Sequence, residues 1–178
     1  MTTSVDTPAT LSDTLAAAML YRGMESGWTD WHPLPDGGRV RGRITHDSDT
    51  TLTDHDYFGH IVETCGDVRP SGCDGAARIV YRDHRRRLWW VPPEDAKSNP
   101  DTLEAMARHV EGWFHNRWCY AVVWLEKQTA PCGCCGQYGP AVQSSVGGIE
   151  YGAEERSDRD TREAWIAEVV HDILLDME

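Results

Sequence analysis

The chain has no apolar run long enough to cross a membrane. Its best candidate, Leu15-Ala-Ala-Ala-Met-Leu-Tyr21, falls well short of the roughly 20 residues a spanning helix requires, and no basic leader precedes it. These absences predict a soluble, cytoplasmic protein. Enzyme signatures are missing too: there is no G-x-x-x-x-G-K-S/T, no G-x-S-x-G, no G-x-G-x-x-G and no H-E-x-x-H. Phenylalanine is scarce, with two residues against eight tryptophans, but tryptophan at that density argues for folded structure. No internal repeat is visible.

Positive charge is also in short supply. Seventeen Lys and Arg face 29 Asp and Glu, for a net charge of −12. Residues 1–60 carry 9 acids and 4 bases, residues 61–128 carry 10 of each, and residues 129–178 carry 10 acids and 3 bases. The ends are acidic and the middle is balanced. Nonspecific nucleic-acid binding draws its affinity from neutralised phosphates, so the whole-chain charge opposes it and favours a basic protein partner.

A length of 178 residues suits one domain. Residues 1–10 are small and polar and read as a mobile tail, leaving a single domain over 11–178 in which 11–53 can form a peripheral arm. Ser12 or Thr10 can cap a helix ending between Met19 and Arg22, after which Trp28, Trp31 and Pro33 read as loop. Val40 to Ile44 alternates as a short strand. Tyr57 to Thr64 reads as another, and Ala77 to Tyr81 with Leu88 to Val91 reads as a hairpin turning at Asp83-His84. Asn99 with Pro100 opens a helix whose apolar residues, Leu103 to Phe114, recur at helical spacing. Trp118 to Leu125 is apolar on both faces, as in a central strand; Ala141 to Ile149 is a glycine-weakened strand; and Trp165 to Met177 carries one apolar stripe. The predicted class is α+β: a mostly antiparallel sheet with two helices packed on one face, in the order β-β-β-α-β-β-α after an N-terminal helix and strand.

Half of the six cysteines fall within Pro131-Cys-Gly-Cys-Cys-Gly136. Cys132 and Cys135 form a C-x-x-C followed by Gly, the local form of a zinc knuckle, in which backbone amides point at the first sulfur and glycine permits the turn. One such pair is half of a tetrahedral site. If the count of elements is right, following their directions brings residues 129–140 to the end of the fold that carries Cys65 and Cys73; one missed strand would reverse it. Cys65, Cys73, Cys132 and Cys135 then form a structural zinc site, closed to water by four thiolates. The alternative is a glycine-rich surface loop with incidental cysteines. Cys119, on a strand face, reads as a core thiol.

Two other clusters offer chemistry. Arg85, Arg86 and Arg87 beside Trp89 and Trp90 join phosphate-binding charge to stacking rings, the composition of a nucleic-acid-binding hairpin, although a solvated turn with one core tryptophan accounts for the same residues. His55, Asp56 and His60, with Glu63, offer metal or acid-base chemistry in no established spacing, and a polar loop entering a strand is the simpler reading. The last helix presents Glu163, Glu168, Asp172 and Asp176 opposite its apolar stripe, an ordinary solvated face or a surface for a basic protein.

Taken together, Asp56-Tyr-Phe-Gly59, Gly72-Cys-Asp-Gly-Ala-Ala-Arg-Ile79, Leu88-Trp-Trp-Val-Pro-Pro93, Trp118-Cys-Tyr-Ala-Val-Val123, the cysteine run and Ser144-Ser-Val-Gly-Gly-Ile-Glu150 resemble small uncharacterised proteins of actinobacterial tailed phages and prophages. The resemblance covers roughly residues 54–178. It implies a setting in the host cytoplasm and transfers no catalytic residue. The expected function is that of a non-enzymatic phage accessory protein that binds a host or phage macromolecule through an acidic surface, with zinc as a structural staple.

Overall fold

The computed structural model describes residues 10–24, 26–52, 58–65, 68–71, 75–152 and 159–177. Of the tail expected over residues 1–10, all but Thr10 lies outside the described residues. In chain order the elements are helix α1 (Leu11–Arg22), strands β1 (His32–Pro33), β2 (Arg39–His46), β3 (His60–Cys65), β4 (Arg78–Arg82) and β5 (Arg86–Val91), a 3-10 turn (Ala96–Ser98), helix α2 (Pro100–Phe114), strands β6 (Cys119–Gln128) and β7 (Val142–Tyr151), and helix α3 (Arg159–Asp176). The chain is α+β with antiparallel strand pairing. The order differs from the expected one by β1, whose two residues are too few to show a period.

The sheet arrangement is the larger correction. In place of one sheet with two helices on one face, the described residues form two sheets, ordered β1-β2-β6-β7 and β3-β5-β4. The chain forms two compact units, one of Met1–Asp47, Ala121–Ile149 and Arg156–Glu178, the other of Ser48–Tyr120 and Glu150–Glu155. Helices α1 and α3 belong to the first unit and α2 to the second. Alternation along a strand reveals which face it buries but not which strand it joins. β5 pairs with β4 through a tight turn and with β3 on its other edge. β2 finds its partner in β6, with Arg41 opposite a residue 85 positions away.

In the first unit β2 alternates strictly. Val40, Gly42 and Ile44 are buried on one face, while Arg39, Arg41 and Arg43 lie half-buried on the other. Lys127, Leu125 and Val123 of β6 stand opposite the buried set. α1 packs on this inner face and against α3. Its buried positions, Ser12, Leu15, Ala16 and Met19, form one helical stripe. Thr10 caps α1 through a capping box with Asp13, whose carboxyl is lowered by the hydrogen bonds it accepts from Thr10. α3 contributes Ile166, Val170 and Ile173, all buried. Burying side chains of this size stabilises the fold by about 1.5–3 kcal/mol each.

In the second unit α2 packs on β4. Asn99 caps α2, accepting from the N–H groups of Asp101 and Thr102, and Pro100 opens it as expected. The core joins Leu52, Phe58, Val80, Trp90, Ala107, Val110, Trp118 and Tyr120. Trp90 is wholly buried and donates its indole N–H to the Phe58 carbonyl at 2.5 Å. The β4–β5 turn falls at Asp83-His84, where the Asp83 carboxylate accepts from the N–H groups of Arg85 and Arg86 and is lowered to about 2 by them. No helix among the described residues is long and apolar enough to cross a membrane.

Gly42 sets how closely α1 approaches the sheet. A methyl group there would sit 2.6 Å from Met19 Sδ and 3.1 Å from Leu125 Cδ2. Gly42→Ala is therefore expected to destabilise the protein by about 1–3 kcal/mol in urea unfolding. In a Met19→Ala background the same change should cost less, because the atom it displaces is gone. Equal costs in the two backgrounds would place the strain elsewhere.

Candidate metal centre

The β6–β7 connection, residues 129–141, carries the cysteine run. Two backbone bonds fold it tightly: the Gly136 N–H donates to the Cys132 carbonyl at 2.7 Å, and the Cys132 N–H donates to the Gln137 carbonyl at 2.8 Å. Gly136 has φ +67°, a left-handed conformation that glycine adopts without penalty. The Gln128 side-chain amide donates to the Gly139 carbonyl at 3.1 Å and ties the returning arm to the end of β6.

This turn gathers Cys132, Cys134 and Cys135, all exposed, with sulfur atoms within 4.8 Å of one another. The Cys132 and Cys134 sulfurs are 2.8 Å apart. The Cys134 thiol, the backbone N–H groups of Cys134 and Cys135, and the Cys135 thiol stabilise the Cys132 thiolate and lower its pKa to about 7. The Cys134 thiol is raised by the same contact with Cys132. Amides aimed at the first sulfur are the arrangement a knuckle requires. Tetrahedral zinc with Zn–S near 2.3 Å separates its sulfurs by roughly 3.8 Å, so local adjustment of the loop lets all three thiols reach one ion.

Of the four cysteines expected to share a metal, the described residues bring together Cys132 and Cys135. Cys134 joins Cys132 and Cys135. Cys65 ends β3 in the second unit, exposed, and Cys73 lies outside the described residues. The strand-direction argument placed β3 and β6 in one sheet; they belong to different sheets, so it no longer brings the two loops together. Cys119 is half-buried at the start of β6.

In the basic hairpin, Arg85 and Arg86 are exposed and Arg86 pairs with Asp83 at 3.0 Å. Arg87 is half-buried opposite Thr64, and Trp89 donates to the Thr64 hydroxyl at 3.0 Å. Trp90 is a core residue, which removes one of the two expected stacking rings. His60 and Glu63 are exposed on β3, while His55 and Asp56 lie outside the described residues.

One feature went unforeseen in the sequence. The segment before β1 runs along β2, with the Thr29 N–H donating to the Gly42 carbonyl at 2.8 Å and the Gly42 N–H donating to the Thr29 hydroxyl at 3.1 Å. It lays Trp28 and Trp31 over the arginines of the outer face. The resulting stack alternates ring and cation: Arg43 lies 5.4 Å from the Trp124 ring and 4.6 Å from Trp28, Arg41 5.0 Å from Trp28 and 4.4 Å from Trp31, and Arg39 4.4 Å from Trp31 and 3.7 Å from Tyr138. Arginine at every second position of β2 was the available signal. The rings come from other elements, Trp28 and Trp31 from the segment before β1, Trp124 from β6 and Tyr138 from the β6–β7 loop, which alternation along β2 does not register.

Alkylation of the reduced protein tests the thiol geometry. The rate at Cys132 should rise with pH through a midpoint near 7, below the roughly 8.5 of a free thiol. Cys134→Ala should move that midpoint upward, because it removes the largest stabilising contact on the thiolate. A wild-type midpoint at the free-thiol value would contradict the geometry. No family model, no curated protein and no solved structure matches the chain.

Proposed function

We propose that this chain is a non-enzymatic binding protein whose β6–β7 hairpin carries a structural zinc knuckle. The observation that carries the reading is the convergence of the Cys132, Cys134 and Cys135 sulfurs on one tight turn, with backbone amides directed at the first of them. Three thiolates suit zinc by ligand softness and supply three of the four positions of its tetrahedron, leaving the fourth to another donor. Bound there, the ion would cross-link an exposed loop already folded by the Cys132–Gly136 and Cys132–Gln137 backbone bonds, converting it into a rigid tip on a sheet scaffold. Loops held in this way are where binding surfaces commonly lie.

The partner we assign is a basic host or phage macromolecule. Glu168, Asp172 and Asp176 of α3 are exposed, and the net charge of −12 favours encounter with a cationic surface. The setting we propose for this role, on the resemblance to actinobacterial phage proteins, is the cytoplasm of an infected host.

Metal analysis of protein purified without added metal should find about one zinc per chain, as a structural site implies. Substituting Cys132 or Cys135 by Ser should abolish it. Chelation should raise amide exchange across residues 129–141 and leave the strands protected. Zinc content near zero under reducing conditions would refute the knuckle.

A further inference from the structure

The outer face of β2 is cationic within an acidic chain. Arg41 is neutralised: its guanidinium meets the buried Glu126 carboxylate at 2.5 Å, and Gln143 donates to the other oxygen of that carboxylate at 3.3 Å. Among the described residues no carboxylate pairs with Arg39 or Arg43. Arg39 uses its Nε to donate to Gln128 at 2.8 Å, and among the described residues Arg43 makes no hydrogen bond, its Nε being buried.

Stacking occupies the faces of these guanidiniums and leaves their in-plane N–H groups as donors, the edges that grip phosphate oxygens in bidentate fashion. Each fork is also held between two rings, so little side-chain freedom remains to be lost on binding. Arg39 and Arg43 are four residues apart on one face of a strand, about 13 Å. At the Arg39 end the stack finishes in Tyr138, 38% exposed, with a ring available to a base.

We propose that the Arg39 and Arg43 guanidinium edges, with the Tyr138 ring, form a binding site for the phosphodiester backbone of single-stranded nucleic acid. A row of donors along one strand, ending in an open aromatic ring, suits a single strand better than an acidic peptide, which offers no base to stack. The site's two guanidiniums lie on β2, outside the cysteine loop; Tyr138 alone belongs to that loop. The site also differs from the Arg85–Arg87 hairpin, and with only two unpaired cations it is compatible with a chain of strong negative charge.

Fluorescence anisotropy with labelled oligothymidylate and oligouridylate at low salt tests the proposal and separates DNA from RNA. With two phosphates neutralised, the slope of log K against log salt should be about −1.4. Arg39→Gln and Arg43→Gln should each weaken binding by about 10-fold or more and reduce the slope to about −0.7. Arg43→Lys, which keeps the charge and loses the fork, should fall between wild type and Arg43→Gln. Glu126→Gln should tighten binding and steepen the slope toward about −2.1 by releasing Arg41, a gain that loss of folding cannot produce. Arg85→Gln with Arg86→Gln should leave affinity unchanged. No binding by the wild-type chain, binding lost only in the Arg85 and Arg86 variant, or capture of polyglutamate in preference to both oligonucleotides would overturn the proposal.

Discussion

The antiparallel pairing of β2 with β6 is the constraint on which the first unit depends. It sets opposite residues on common faces: Val40, Gly42 and Ile44 with Lys127, Leu125 and Val123 on one side, and Arg39, Arg41 and Arg43 with Gln128, Glu126 and Trp124 on the other. The inner face receives α1 because Gly42 leaves room for Met19. The outer face bonds Arg39 to Gln128 and Arg41 to Glu126 and stacks Arg43 on Trp124. A slip of one residue would turn the arginines into the α1 interface, where they would be buried without partners.

The same pairing positions both the cysteine loop and the arginine stack. β6 continues from the arginine-facing residues directly into the cysteine loop, and the loop returns through Tyr138, which stacks on Arg39. Each cation–π contact of this kind contributes about 0.5–2 kcal/mol. The segment from Trp28 to Trp31 is held by such contacts and by the paired hydrogen bonds of Thr29 with Gly42, so an irregular stretch acquires a fixed place without being a regular strand. The thiol cluster, in contrast, is local. Its geometry arises from one tight turn and one left-handed glycine, which is why a metal would matter there more than in the sheet.

That distinction explains what could be read from the sequence. Helix α2 was legible because Asn99, Pro100 and the apolar spacing that follows are all local signals, and the β4–β5 hairpin because Asp83 marks its turn. The approach of amides to Cys132 was legible for the same reason. The partners of β2 and β3 were not, since a strand's alternation specifies its buried face and nothing about its neighbour. The inferred meeting of Cys65 and Cys73 with Cys132 and Cys135 failed as an argument at that point: it counted the strands in one sheet, and the described residues form two. Trp28 and Trp31 read as loop residues, correctly, yet the arginines that hold them lie in another element. The extra cysteine in Cys132-x-Cys134-Cys135 left the partner of Cys132 open in the sequence, and the turn brings the Cys134 sulfur to 2.8 Å from it.

X-ray absorption at the zinc edge of the purified protein tests the central claim most directly, because it counts the sulfurs around the ion. The account predicts three sulfurs at about 2.3 Å and one lighter atom, with Cys65→Ser leaving the spectrum unchanged. Four sulfurs, one of them lost in Cys65→Ser, would contradict a knuckle built from Cys132, Cys134 and Cys135.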